Sequence, residues 1–429
     1  MKPEAGDIVK VITEDEEIEG ILMPRPEILG QDVTVVKLGN GYNIGILNKK
    51  IKKIEAIEKY KLKKTEKKKL EFNKSLPIVS ILSFGGTISS KVDYRTGGVH
   101  ADYTAEDFVE MCPEIKRIAN IRARKVTGIM SEDMNHEDWK LMAREVAKEL
   151  NSDAAGVVVT QGTDTLHYST AALSFFLENK NKPVVFTAAQ RSIDRGSSDA
   201  LMNLICAVTA AAKSDIAEVM VCMHGTINDD YCILVRGTKV RKMHTSRRDA
   251  FRPINEMPLA KVYDDKIEIT NKNYKKRNDG KAKVNDAFEN KVGLLLIHPG
   301  MNPDIMDFFI EKKYKGIVLA TTALGHVPTE RKNFSLLEKL KKAIGSGILV
   351  VISSQALYGR VHPYVYTNLR KLSLDLNAVF VEDMLPETAY VKLGWALGQA
   401  KDREKAKEIM LKNIAGEMTE RSDAGSFLY

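Results

Sequence analysis

Two short apolar runs, each closed by a glycine turn that delivers a threonine, constrain this chain more than any other feature. Pro77-Ile-Val-Ser-Ile-Leu lies within Leu76 to Ser83 and is followed by Phe84-Gly85-Gly86-Thr87. A run that short and β-branched, ended by two glycines, reads as a buried strand. Gly85 and Gly86 permit a sharp turn and a close approach to another group. Thr87 then falls at the carboxyl end of the strand, where open α/β sheets place their ligands. The second run, Gly156-Val-Val-Val-Thr160, leads through Gln161-Gly162 to Thr163-Asp164-Thr165. Leu166 to Leu177 carries helical spacing, so these three residues stand at a helix start. Thr and Asp there serve as caps, and a helix start also offers free N–H groups to an anion. A glycine pair alone marks an ordinary turn. Two strand–glycine–threonine turns in one α/β pattern point to two halves of one site.

The rest of the chain supplies the scaffold for that pair. Residues 7–13, and parts of 17–23 and 32–37, alternate apolar and polar, and Asn40-Gly41 separates two such runs as a hairpin turn would. Residues 1–56 therefore read as a small antiparallel β-barrel without a catalytic cluster, a docking or stabilising module. Lys49 to Lys74 is dense in lysine with interspersed glutamate, the composition of a solvated linker or helix. Contact with phosphates is the other reading, although few aromatics are present to stack on bases. The linker proper is placed at 57–75. Strand and helix patterns alternate over 76–270, as in a parallel sheet covered by helices. Residues 271–290 form a polar connection, and the alternation resumes over 291–429 as a second, smaller α/β domain. The fold class is thus α/β, with a parallel-sheet domain and a smaller α/β domain following the barrel. No GxGxxG follows the first strand, which argues against a dinucleotide fold.

Cys112, Cys206, Cys222 and Cys232 show no CxxC spacing and read as reduced thiols of a cytoplasmic protein. No signal-peptide core opens the sequence, and no run approaches the ~20 apolar residues of a membrane span. The net charge of +8 permits a nucleic-acid partner without requiring one. The eight histidines show no HExxH or paired spacing, so no metal site is expected. His167 falls on the helix beside the second turn and reads as structural.

Phe84-Gly-Gly-Thr-Ile-Ser together with Thr160-Gln-Gly-Thr-Asp-Thr resembles the paired signatures of the L-asparaginase/glutaminase family, and the resemblance runs from about residue 76 to the C-terminus. It implies hydrolysis of a side-chain amide by a threonine nucleophile. A threonine hydroxyl needs a neighbour that takes its proton, and a lysine can do so when its surroundings favour the neutral amine. By resemblance, Thr87 is the nucleophile, and Thr163, Asp164 and Lys242 form a triad-like set with Lys242 as base. Lys242 lies in a segment like the family's lysine followed by Thr…Asp-Ala-Phe. Lys239 is the alternate base, and Arg241 is excluded because arginine stays protonated. Tyr94 matches a lid tyrosine, its glycine-containing loop being equally a surface turn. Ser131 matches the residue that holds the substrate α-carboxylate, and Glu132 or Asp164 the holder of the α-ammonium. Ser131 is otherwise an N-cap for a helix at His136, and Glu132 plain surface charge.

The N-terminal barrel, with Asp93-Tyr-Arg-Thr-Gly97, Ser131-Glu-Asp-Met134 and Val381 to Leu393, is similar to the archaeal tRNA-dependent amidotransferase branch of the family. That likeness implies a glutamine- or asparagine-hydrolysing component that passes ammonia to a partner, the E subunit of such an amidotransferase. The partner would bind tRNA(Gln), use ATP and Mg, and convert Glu-tRNA(Gln) to Gln-tRNA(Gln). The likeness further implies no cofactor in this chain and a homodimer within a heterotetramer. The alternative is a stand-alone cytosolic L-asparaginase with an accessory domain.

Overall fold

The alternating N-terminal sequence forms β1 (Ile8–Thr13), β2 (Glu17–Leu22), β3 (Val33–Lys37) and β4 (Asn43–Leu47), and a fifth strand, β5 (Ile51–Glu58), joins them. The computed structural model describes residues 3–24, 32–59, 72–86, 90–92, 99–101, 107, 110, 112–193 and 195–429. The five strands are antiparallel in the order β4-β3-β2-β1-β5, over a core of Val9, Val11, Ile18, Val36 and Ile46. β5 corrects the reading of the lysine-rich stretch as linker or helix from Lys49 onward. Ile51 and Ile54 have helical spacing, but a register shift between Ile12 and Thr13 of β1 lets both pack on the same small core.

The next sheet has eight strands. In chain order they are β6 (Ile78–Ser83), β7 (Asn120–Lys125), β8 (Gly156–Thr160), β9 (Val184–Thr187), β10 (Val219–His224) and β11 (Cys232–Arg236). The separate hairpin β12 (Val240–Lys242) and β13 (Phe251–Pro253) follows, then β14 (Ala260–Val262) and β15 (Ile267–Ile269). The sheet order is β15-β14-β11-β10-β9-β8-β6-β7. β7, β6, β8, β9 and β10 run parallel, and β11, β14 and β15 add antiparallel. The central strands are buried on both faces, with residues alternating between two cores. Leu82, Val157, Val159 and Phe186 face one core; Ile81, Val158 and Val185 face the other. Helices α1 (His136–Leu150) and α2 (Leu166–Phe176) cover the first face and α3 (Ala200–Lys213) the second.

A second, four-stranded parallel sheet has the order β16 (Val292–Leu296), β17 (Gly316–Thr321), β18 (Leu349–Ser354), β19 (Val379–Phe380). Its long helix α4 (Pro386–Gln399) packs against α2 of the first domain, where Phe175 stacks on Trp395 at 5.7 Å between ring centres. Two ion pairs cross the same boundary, Lys239–Asp383 and Arg241–Glu387. The residues flanking Lys242 on the β12 side are therefore tied to the second domain. No described helix is long and apolar enough to cross a membrane.

Candidate active site

The two glycine turns meet at the point where the sheet order reverses. The chain leaves β6 for β7 on one side and later returns to β8 on the other, so the crevice beyond β6 and β8 is where such a sheet holds a ligand. Ser83 lies opposite Thr160 in parallel register, and Phe84 N donates to Thr160 O at 2.8 Å. Gly85 and Gly86 have φ of +105° and +87°, the left-handed region that side chains disfavour. A Cβ on Gly86 would collide with the backbone of Gln161 and Gly162. The first turn is thus laid directly on the second. Thr87, which follows Gly86 in the sequence, and Tyr94 lie outside the described residues.

The second turn carries the polar set. Lys242 Nζ donates to Thr163 Oγ1 at 2.8 Å and to Asp164 Oδ1 at 2.6 Å, and Thr163 Oγ1 donates to Asp164 Oδ1 at 3.2 Å. The three side chains close a triangle. Lys242 reaches it from the end of β12, directly opposite Phe251 of β13. Its side chain is 11% exposed against 63% for Asp164, so the cation sits beneath and the carboxylate faces solvent. Lys242 beside it holds the Asp164 carboxyl below the usual carboxylate range, against the opposing effect of partial burial.

Ser131 joins the same turn. It is buried, its Oγ accepts from Asp164 N at 3.3 Å, and a Cβ on Gly162 would lie 2.8 Å from its side chain. The capping reading of Ser131 does not hold, because Asn135 caps α1 through a reciprocal box with Asp138. Glu132 is exposed beside it. Thr165 also departs from a capping role. It is the N-cap of α2 but makes no side-chain cap bond; its hydroxyl donates to Ser131 O at 2.6 Å. The sequence does not reveal that clamp between the two loops, since a threonine at a helix start already has a sufficient local explanation.

Lys239 is drawn away from the triangle. Its side chain is fully buried and pairs with Asp383 at 2.7 Å. His167, the second residue of α2, is buried with no partner for Nδ1, and burial pushes its pKa down to about 3, with Arg241 and Lys242 adding to the effect. It is neutral at ordinary pH. Among the described residues, no group of three or more His, Cys, Asp or Glu side chains is arranged to hold a metal ion.

Fold and site together define an asparaginase-type amidohydrolase architecture. The family descriptions "Asparaginase, N-terminal" and "Glutaminase/Asparaginase C-terminal domain" match residues 78–275 and 291–410, and "GatD N-terminal domain" matches 3–57. The solved thermostable L-asparaginase from Thermococcus kodakarensis superposes with a TM-score of 0.72 at 31% identity, covering 80% of this chain and 100% of that one. The D subunit of glutamyl-tRNA(Gln) amidotransferase from Pyrococcus furiosus is 51% identical, covering 99% of this chain and 97% of the relative. Its Thermococcus kodakarensis counterpart is 50% identical, covering 99% of this chain and 96% of the relative. The chain belongs to the family of glutamyl-tRNA(Gln) amidotransferase D subunits, within the asparaginase/glutaminase fold.

Proposed function

We propose that this chain hydrolyses the side-chain amide of glutamine or asparagine and supplies the ammonia to a partner that converts Glu-tRNA(Gln) to Gln-tRNA(Gln). The observation that carries the chemistry is the Lys242–Thr163–Asp164 triangle at the crevice where the two glycine turns meet. The Lys242 amine takes the proton of a threonine hydroxyl, whose oxygen attacks the carboxamide carbon. The proton passes to the leaving nitrogen as the C–N bond breaks and ammonia departs. Water then hydrolyses the acyl ester. Thr87 is the nucleophile of this reading, Thr163 relays to Lys242, and Asp164 orients the amine. Ser131 with Glu132 holds the amino acid's own charges, and Tyr94 closes over the site. The chain itself needs no cofactor. ATP and Mg belong to the partner, the amidotransferase E subunit, which binds the tRNA, and two copies of each protein form the complex.

The deciding experiment measures ammonia release from L-glutamine and L-asparagine by the chain alone and with the E subunit and Glu-tRNA(Gln). Release from glutamine that rises with partner and tRNA, and disappears in Thr87→Ala, is the expected result. Strong asparagine turnover indifferent to the partner would instead support a stand-alone asparaginase. Unchanged release by Thr87→Ala would remove the nucleophile from this scheme.

The pH dependence follows from Asp164. Its pKa is depressed in the folded site, so its pairing with Lys242 is complete above the ordinary carboxylate value and is lost as pH falls through the lower, folded value. Turnover is expected to keep this contribution down to about pH 4, the free carboxylate value, and to lose it below. In a pH–rate series the Asp164→Asn chain should lack that acidic limb. His167 adds no limb near neutrality, because it is already neutral there.

A further inference from the structure

The N-terminal sheet domain touches the rest of the chain at a turn on the ligand side of the large sheet. Tyr42, just after the Asn40-Gly41 turn, places its hydroxyl 2.5 Å from Ser197 Oγ. A Cβ on Gly196 would run into the Tyr42 ring, so this glycine gives the ring its seat. Ser197 itself has φ +56°, a left-handed conformation that a non-glycine residue adopts only when its surroundings hold it. This turn follows β9, whose carboxyl end points to the same side as the two glycine turns.

Behind the turn a polar network, buried at Asp199, Asn203 and His224, leads to the hairpin that carries Lys242. Asp199 accepts from the backbone N–H groups of Gln190 and Arg191 and closes the loop that contains Gly196 and Ser197. Asn203 donates to Asp199 Oδ2 at 3.1 Å and to Ala188 O at 2.9 Å, which leaves its oxygen as an acceptor. That oxygen receives His224 N at 3.0 Å and stands 2.6 Å from His224 Nδ1. Asp199, Asn203 and His224 are all fully buried. His224 Nε2 lies 3.0 Å from Asp229 Oδ1, and Arg248 pairs with that oxygen while donating to Ile227 O at 2.9 Å. Arg252 donates to Gly225 O at 2.9 Å. Arg252 belongs to β13, opposite Arg241, with Phe251 opposite Lys242 in the adjacent pair. The loop at 225–229 thus grips the hairpin that carries Lys242, and the network grips that loop.

We propose that the N-terminal domain is a positioning module for the hydrolytic site, with Tyr42 docked on Gly196–Ser197 setting the loop network that holds the Lys242 hairpin. The inference rests on the amide-hydrolysis reading above. It gives the domain a role in the chemistry of its own chain rather than in partner contact alone. The buried part of this network, Asp199, Asn203 and His224, transmits a change at one end because its members have few alternative partners. Energetic coupling along it is what a double-mutant cycle measures.

The test uses the full chain assembled with its partner and tRNA, and reads kcat and KM for glutamine hydrolysis. Tyr42→Ala is expected to lower kcat roughly threefold to thirtyfold with little change in KM, the size of effect that distant coupled positions show. Tyr42→Phe, which keeps the ring and loses only the hydroxyl, should fall between. Arg248→Met cuts one of the two arms between the loop and the hairpin, Arg252 to Gly225 being the other, and in that background Tyr42→Ala should cost less than it does alone. The inference is overturned if Tyr42→Ala leaves kcat within twofold, or if the two losses multiply. Loss of kcat accompanied by a fallen thermal midpoint in Tyr42→Ala but not in Tyr42→Phe, with Tyr42→Phe at wild-type kcat, would equally overturn it. A wild-type complex that releases no ammonia overturns the underlying reading, and this inference with it.

Discussion

Lys242→Met is expected to lower amide hydrolysis roughly 10²–10⁴-fold, the contribution a positioned proton acceptor makes. Methionine keeps an unbranched stem of similar length, so the packing of the nearly buried side chain beside β13 is retained. What is lost is the nitrogen that contacts both Thr163 Oγ1 and Asp164 Oδ1. Lys242→Arg separates two explanations. A guanidinium restores positive charge beside Asp164 and donates hydrogen bonds, but it does not give up its proton. If Lys242 acts as the base, the arginine chain is as inactive as the methionine chain. If it serves only as a cation that holds Asp164, arginine recovers most of the rate. The loss should fall on kcat rather than KM, since proton transfer is made only in the transition state. A Lys242→Met chain within tenfold of wild type in steady-state ammonia release would end the case for this lysine.

The strands and helices that build the crevice are legible in the sequence because each pairs a clear period with clear punctuation. His136–Leu150 is a helix that begins where the sequence places one, with a capping box at Asn135, and Gly156–Thr160 is a buried strand leading into Gln161-Gly162. The juxtaposition of Thr163, Asp164 and Lys242 is legible only through resemblance. Nothing in a lysine 79 positions from Thr163 marks it among 65 lysines and arginines, and the contact depends on where a three-residue hairpin strand happens to end. β5 escapes a sequence reading because its isoleucines repeat at three, and the register shift that puts them on one face belongs to the pairing rather than to the strand. The Tyr42 contact and the Asp199–Asn203–His224 network leave no sequence signal at all. A serine, a glycine and an asparagine in a loop and helix carry no period, and their meaning comes from which strand ends the fold brings alongside them.

Asp383→Ala is expected to destabilise the chain by about 3–5 kcal/mol, the usual consequence of stranding a buried charge. Lys239 and Asp383 have side chains 0% and 1% exposed, and their 2.7 Å pair joins the residue preceding β12 to the second domain. Asp383 also accepts from Thr419 N at 2.8 Å and Thr419 Oγ1 at 2.6 Å. Truncation therefore leaves the fully buried Lys239 ammonium, and with it a partly buried backbone N–H, without an acceptor. The alternative is that the pair stabilises simply as a tether between domains. Lys239→Met combined with Asp383→Leu distinguishes the two. With both charges gone there is no stranded ion, and apolar replacements of a buried pair are often neutral or stabilising. If stranding dominates, the double variant recovers most of the loss in a denaturant midpoint while the slope of the transition stays constant. If the tether dominates, the double variant remains as unstable as Asp383→Ala, because the side-chain bond between Lys239 and Asp383 is still missing.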